Sequence, residues 1–295
     1  MPDIQLRFNY DMLVLTAPVD AALAQRGFDA PEEREVLLVT EPETVLEPLR
    51  LNMVAGAQCL VLPTAGITRA RLAHVRAEDA ARNIAGVAVE LARELRPQHI
   101  LAEIGPCGLP LDASNELSRA TNAEQYTQAV SAFDTSQLDG FFLNGINSGP
   151  ALQCALEGVR AAFEGPVFAS VDVDEFGTVA GRGESLEALL AIMNEYDASV
   201  AGIQTQAPVE HIVELVGRMK AASDLPILVQ IKVDTVHARD PHDDSPYWCA
   251  DLAMQAADPL RRAGVQFLRA TGAATAAYTG ALVAATMGQT VLGRE

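Results

Sequence analysis

Short apolar runs rich in β-branched residues recur along the chain, each introduced by turn residues and followed by a longer stretch whose hydrophobic positions fall three and four apart. The first pattern suits a strand buried on both faces and the second an amphipathic helix, so their alternation predicts βα units and a parallel sheet. Eight strand runs are present: Met12 to Pro18, Cys59 to Thr64, His99 to Pro106, Gly140 to Ile146, Val167 to Val173, Val200 to Thr205, Ile227 to Val233 and Val265 to Thr271. Helices are predicted over Pro42 to Ala55, Ala77 to Leu95, Ala123 to Ser136, Pro150 to Phe163, Ser185 to Tyr196, Pro208 to Ala222, Pro246 to Ala263 and Ala276 to Met287. Several open with Pro or Ser, residues that suit a first helical turn. Gly56 and Gly264 each stand where a helix hands over to a strand, a place where a left-handed residue costs least as glycine.

Eight parallel strands could form an open doubly wound sheet, but that fold usually carries a glycine-rich phosphate loop after its first strand. Here the first strand ends in Thr16-Ala17-Pro18-Val19-Asp20. The expected fold is therefore an α/β single (β/α)8 TIM barrel, with residues 1–295 as one domain, a length such a barrel accommodates.

A barrel of this kind places its site where the strands end. The residues there are Thr16 and Asp20, Thr64, Glu103 and Cys107, Asn144 and Asn147, Asp172 and Asp174, Gln204 and Thr205, Lys232 and Asp234, and Arg269 and Thr271. Polar side chains at the ends of apolar strands must reach solvent or find partners, so their convergence suggests a binding cavity. Lys232 and Arg269, on neighbouring strands and opposite Glu103 and Asp172, suit an anionic ligand group; equally, each could pair with a neighbouring carboxylate and stabilise the rim. Glu103, Lys232 and Arg269 are the catalytic candidates. Cys107 is the thiol nearest the expected mouth, a nucleophile candidate or simply a small residue after a tight turn. His237, Asp240, His242, Asp243 and Asp244, then Cys249, crowd the loop after the seventh strand, but their spacing matches no zinc signature and a solvated polar loop explains them.

Composition narrows the partners. With 21 Lys and Arg against 39 Asp and Glu, the formal charge is −18, which opposes attraction to nucleic acid or anionic lipid. The four cysteines are widely spaced, and neither a signal-like start nor a bilayer-length apolar run is present, so a reducing cytoplasm is expected.

Read in order, the chain resembles the homocysteine S-methyltransferase family, which includes betaine-homocysteine methyltransferase and the homocysteine-binding domain of cobalamin-dependent methionine synthase. The carriers are Leu15 to Gly27, Ala55 to Thr64, Ile104-Gly105-Pro106, Gly202-Ile203-Gln204-Thr205 before Pro208, Pro226 to Asp234, Ala263-Gly264 and Val265 to Leu282. The resemblance implies a catalytic zinc held by three cysteines, one in an Asn-Cys motif after strand six and two in a Gly-Gly-Cys-Cys-Gly-Thr motif after strand eight. This sequence departs at all three. Gln204-Thr205 stands for the first motif and Arg269-Ala270-Thr271-Gly272-Ala273 for the second, and residues 250–295 contain no cysteine. The family's Asp after strand one appears as Thr16, its Glu after strand four as Asn144, and its Asn after strand seven as Lys232.

No metal is therefore expected at those positions, and hydroxyls are too weak as zinc donors to restore it. Methyl transfer to or from a small anionic substrate, a thiol or an amino acid, is the function the resemblance implies, placing the chain in one-carbon metabolism and methionine biosynthesis. No cofactor is expected within the chain, and the methyl donor would be a free small molecule, a folate or a separate corrinoid protein. The alternative is a non-catalytic barrel that binds a ligand or protein. A lyase, aldolase or decarboxylase using Lys232 as an amine follows from architecture alone. Assembly into a homo-oligomer is compatible with the architecture.

Overall fold

The computed structural model describes residues 3–28, 33–179, 183–233, 246–247, 249–287 and 289. Its strands are β1 (Leu13–Val14), β2 (Cys59–Leu62), β3 (His99–Ile104), β4 (Gly140–Asn144), β5 (Val167–Asp172), β6 (Val200–Thr205), β7 (Ile227–Val233) and β8 (Val265–Gly272). All neighbours pair parallel, in the order β1-β8-β7-β6-β5-β4-β3-β2. A parallel bridge between Leu15 and Cys59 brings the two ends of the sheet together. The joint is reinforced by Thr16, whose backbone N donates to the Cys59 carbonyl at 2.9 Å and whose hydroxyl accepts from Val61 N at 3.0 Å. The result is the (β/α)8 barrel that the alternating pattern predicts.

The long helices surrounding it are α3 (Pro42–Val54), α5 (Ala81–Glu94), α6 (Glu116–Ser131), α7 (Gly149–Arg160), α8 (Leu186–Glu195), α9 (Val209–Ala222), α10 (Ala250–Ala263) and α11 (Ala276–Thr286). Gly56 and Gly264 adopt the left-handed conformation at φ 97° and 94°, and a Cβ on Gly56 would lie 2.9 Å from Val283 Cγ1. Helix α6 begins seven residues before the expected Ala123, because the Asn115 side chain accepts from Leu117 N and Ser118 N at 3.0 and 3.2 Å. Three short helices escape the periodic pattern: α1 (Asp20–Ala24), α2 (Arg34–Thr40) and α4 (Arg69–Ala73). Each is at most two turns long, too short to show a repeat. Among the described residues no helix is long and apolar enough to cross a membrane.

The core has two parts. A large shell packs helices against the outer face of the barrel, and a smaller cluster fills the barrel's lower interior with Leu13, Leu15, Cys59, Val61, Leu101, Phe142, Phe168, Val200, Leu228 and Phe267. A 3₁₀ turn over Ile4–Arg7 closes the floor beneath this cluster. Phe8 stands edge-on to Phe168 and Phe267, with centroids 6.2 and 5.9 Å apart, and Gln266 donates to the Arg7 carbonyl at 2.6 Å.

Candidate active site

Above the aromatic floor the barrel interior turns polar. Side chains alternate across a strand, so residues two apart share a face and Phe168, Ser170 and Asp172 rise in sequence on β5 while Phe267, Arg269 and Thr271 do the same on β8. Arg269, 1% exposed, occupies the middle level. Its Nη2 pairs with Glu103 Oε2 at 3.0 Å, Nε donates to the Thr16 carbonyl at 3.0 Å, and Nη1 donates to Gln230 Oε1 at 3.3 Å. Beneath it lies the Phe142 ring, 5.4 Å from the guanidinium carbon. A charge that deep is tolerable only when paired and hydrogen-bonded, and here it is both.

The network continues around the barrel. Asn144 donates to Glu103 Oε1 at 2.7 Å, while Gln230 donates to Asn144 Oδ1 and Ser170 Oγ, both at 2.8 Å. Asp172 accepts from Gln204 at 2.8 Å and from Asn147 Nδ2 at 3.2 Å. Amides therefore fix both carboxylates, Glu103 and Asp172.

Lys232 and Arg269 do not stand side by side as their adjacent strands suggest. The register pairs Gln230 with Arg269 and Lys232 with Thr271, so Lys232 sits one level higher, at the mouth. Among the described residues no carboxylate pairs with Lys232, whereas Arg269 is committed to Glu103. Lys232 lines a 420 Å³ cavity with Asp172, Asp174, Phe176, Gln204 and Thr205. A second cavity of 220 Å³, sharing Gln204, is lined by Asp20, Arg34, Glu103, Asn144, Arg269 and Thr271. Thr271 is 2% exposed and, among the described residues, its hydroxyl has no hydrogen-bond partner. Buried polar atoms are seldom left unpaired, so this hydroxyl is a candidate contact for a ligand.

The other expected residues divide by role. Thr16 and Thr64 are fully buried, the first tying β1 to β2 and the second donating to the Glu103 carbonyl at 2.8 Å. Thr205 accepts from Ala207 N at 3.1 Å, and Asp174 organises its own loop through Phe176 N and Thr178 N. Cys107 is buried, donates to Asn122 Oδ1 at 3.0 Å, and burial pushes its pKa up, which keeps it a neutral thiol. Asp234, His237, Asp240, His242, Asp243 and Asp244 lie outside the described residues. Sequence reasoning did not mark Ser170, Gln230 or Arg34. The first two could have been found from the two-residue spacing that puts them one step below Asp172 and Lys232, whereas Arg34 carries no such signal.

A zinc ion on three thiolates does not fit these residues. Thr205 and Thr271 offer hydroxyl oxygens where soft sulfur would be required, and Arg269 already places a positive charge one level below Thr271. Cys59, Cys107 and Cys154 are buried elsewhere, and Cys249 precedes α10 as its N-cap. Among the described residues no group of three His, Cys, Asp or Glu side chains is arranged to hold a metal.

Comparison with known proteins agrees with this architecture. The homocysteine methyltransferase MmuM from Escherichia coli superposes in its oxidized form with a TM-score of 0.73 at 20% identity, covering 93% of this chain and 96% of that one. Its metallated form gives 0.72 at 19% identity over the same shares. The carboxyl transferase domain from Rhizobium etli pyruvate carboxylase is more distant, with a TM-score of 0.51 at 11% identity, covering 91% of this chain and 41% of that one. These likenesses concern the fold. A search of curated proteins found no match. Residues 15–268 match the family described as homocysteine S-methyltransferase. The chain belongs to the homocysteine S-methyltransferase family, a family of methyltransferases.

Proposed function

We propose that this barrel transfers a methyl group to or from a small anionic substrate, a thiol or amino acid such as homocysteine, without a thiolate-bound zinc. The observation that carries the reading is the mouth itself: Lys232 stands unpaired among the described residues above a buried Arg269 that Glu103 neutralises. In transfer to a thiol, the proton passes first to solvent, the thiolate sulfur attacks the methyl carbon, and the donor departs with the electron pair of the broken bond. Only the thiolate is an effective nucleophile, and a free thiol has a pKa of about 8.5. A cation about 4 Å away stabilises it by about 4 kcal/mol at an effective dielectric of about 20, enough to carry that pKa below neutrality. Lys232 suits this role better than Arg269, whose charge is already spent on Glu103.

A free small molecule, a folate or a separate corrinoid protein would bring the methyl group. Four free cysteines suit a reducing cytoplasm, the compartment we assign. The test is methyl transfer to L-homocysteine from S-adenosylmethionine, a methylated folate or methylcobalamin, with Lys232→Met as the comparison. Turnover that falls about a hundredfold or more in the variant supports the reading, and equal turnover removes Lys232 from it.

The saturated Arg269–Glu103–Asn144–Gln230 network also favours a second reading, a non-catalytic ligand-binding barrel, because groups so completely satisfied stabilise a scaffold without chemistry. Ligand binding with no turnover from any of the three donors is its expected signature.

A further inference from the structure

Helix α2 is fastened to the barrel mouth by two consecutive residues. Glu35, 2% exposed, accepts from Gly66 N at 2.6 Å and so holds the loop that follows β2. Arg34 reaches the other way, pairs through Nη2 with Asp20 at the start of α1, and lines the 220 Å³ cavity. Its side chain is 17% exposed, while that of Asp20 is 42% exposed.

We infer that Arg34 is the specificity-determining residue of this cavity and that it takes the carboxylate of a small amino acid. An arginine presents five donors in a planar fork matched to a carboxylate. Among the described residues Arg34 spends only Nη2, on an Asp20 that is itself partly open to water, which leaves the rest of the fork for a ligand. The deeper Arg269 is the poorer candidate, since three of its five N–H donors already go to Thr16, Gln230 and Glu103 and its charge is paired in a 1% exposed position. The unpartnered Thr271 hydroxyl is the second sign that the cavity takes a ligand, and Asp20 and Glu103 supply negative charge for an ammonium group. A volume of 220 Å³ is below the usual range of about 300–1,000 Å³ for drug-sized ligands, so an amino-acid-sized molecule is the right scale. The inference rests on the mouth being the substrate site but not on methyl transfer taking place there.

The experiment is calorimetric binding of two probes, L-homocysteine and its decarboxylated counterpart 3-aminopropanethiol, to the full chain and to Arg34→Met, Arg34→Lys and Asp20→Asn. Thermal melts first establish which variants are folded. The full chain is expected to prefer the acid by about tenfold or more, because a charge-assisted hydrogen bond depends on the carboxylate. Arg34→Met collapses the preference to near unity, Arg34→Lys lowers it by keeping charge without the fork, and Asp20→Asn preserves it. If Arg34→Met does not fold, Arg34→Lys decides the matter: a reduced preference supports the assignment and an undiminished one overturns it. A folded Arg34→Met that keeps the preference overturns it, as does a full chain with no preference or no binding of the acid. An Arg34-dependent preference without methyl transfer from any donor leaves this assignment standing and defeats the methyl-transfer reading instead.

Discussion

The two ends of the barrel interior solve the same packing problem with opposite chemistry. At the floor, Phe8, Phe142, Phe168 and Phe267 fill the space edge-to-face, with Phe168 and Phe267 centroids 4.9 Å apart, a contact made without hydrogen bonds between the rings. One level up, Arg269, Glu103, Asn144, Gln230 and Ser170 fill a comparable cross-section with a closed set of hydrogen bonds. Apolar packing alone would have stabilised the barrel at least as well. The polar layer therefore points to a requirement of the mouth above it: a rigid, charge-balanced base on which Lys232 and Thr271 are presented.

The largest effect is expected at Arg269. Arg269→Met leaves Glu103 buried without its cation and is expected to cost about 3–5 kcal/mol in denaturant unfolding, whereas Arg269→Met combined with Glu103→Leu recovers much of that loss. A single variant as stable as the parent would show that the pair is not a buried unit. At the mouth the order of effects reverses. Lys232→Met should leave stability within about 0.5 kcal/mol while turnover falls about a hundredfold; comparable losses of both would place Lys232 in the scaffold. At the floor, Phe168→Leu is expected to cost about 1–2 kcal/mol through lost packing, with the ligand affinity of the mouth unchanged.

The smallest effect concerns Glu35, whose pKa burial raises against the lowering influence of Arg34 and the Gly66 hydrogen bond. A carboxyl with a raised native pKa binds more protons folded than unfolded. Its contribution is fully present at low pH and is lost as pH rises through the raised value. Stability measured against pH should therefore decline over that interval in the parent, and the decline should be absent in Glu35→Gln. Parallel profiles would show that Glu35 does not titrate differently on folding.

How much of this the sequence reveals depends on the distance over which each signal acts. Strands such as Val200–Thr205 and Ile227–Val233 are delimited to the residue, because a run buried on both faces is predominantly apolar and stands out from the polar sequence around it. The start of α6 is obscured because its first two turns, Glu116 to Thr121, face outward and carry no apolar stripe. At the site, convergence of the strand ends follows from barrel topology, so Glu103, Asn144, Gln204, Lys232 and Thr271 can be placed together in advance. Their levels cannot, since height in a barrel depends on the register between strands, and it is register that lowers Arg269 beneath Lys232. Arg34 is less legible still. It reaches the cavity from a seven-residue helix too short to show a repeat, held by buried Leu37 and Leu38 and by the Glu35 carboxylate on a backbone N–H far away in sequence.

The proposed chemistry of the mouth rests on fixed protein charge instead of a thiolate-held metal. Its most direct test is zinc content per chain together with methyl transfer to L-homocysteine before and after exhaustive chelation. Turnover that is the same in both samples and zinc far below one equivalent are expected; one bound zinc per chain, with activity lost on chelation and restored by adding zinc back, would show that a metal is required after all.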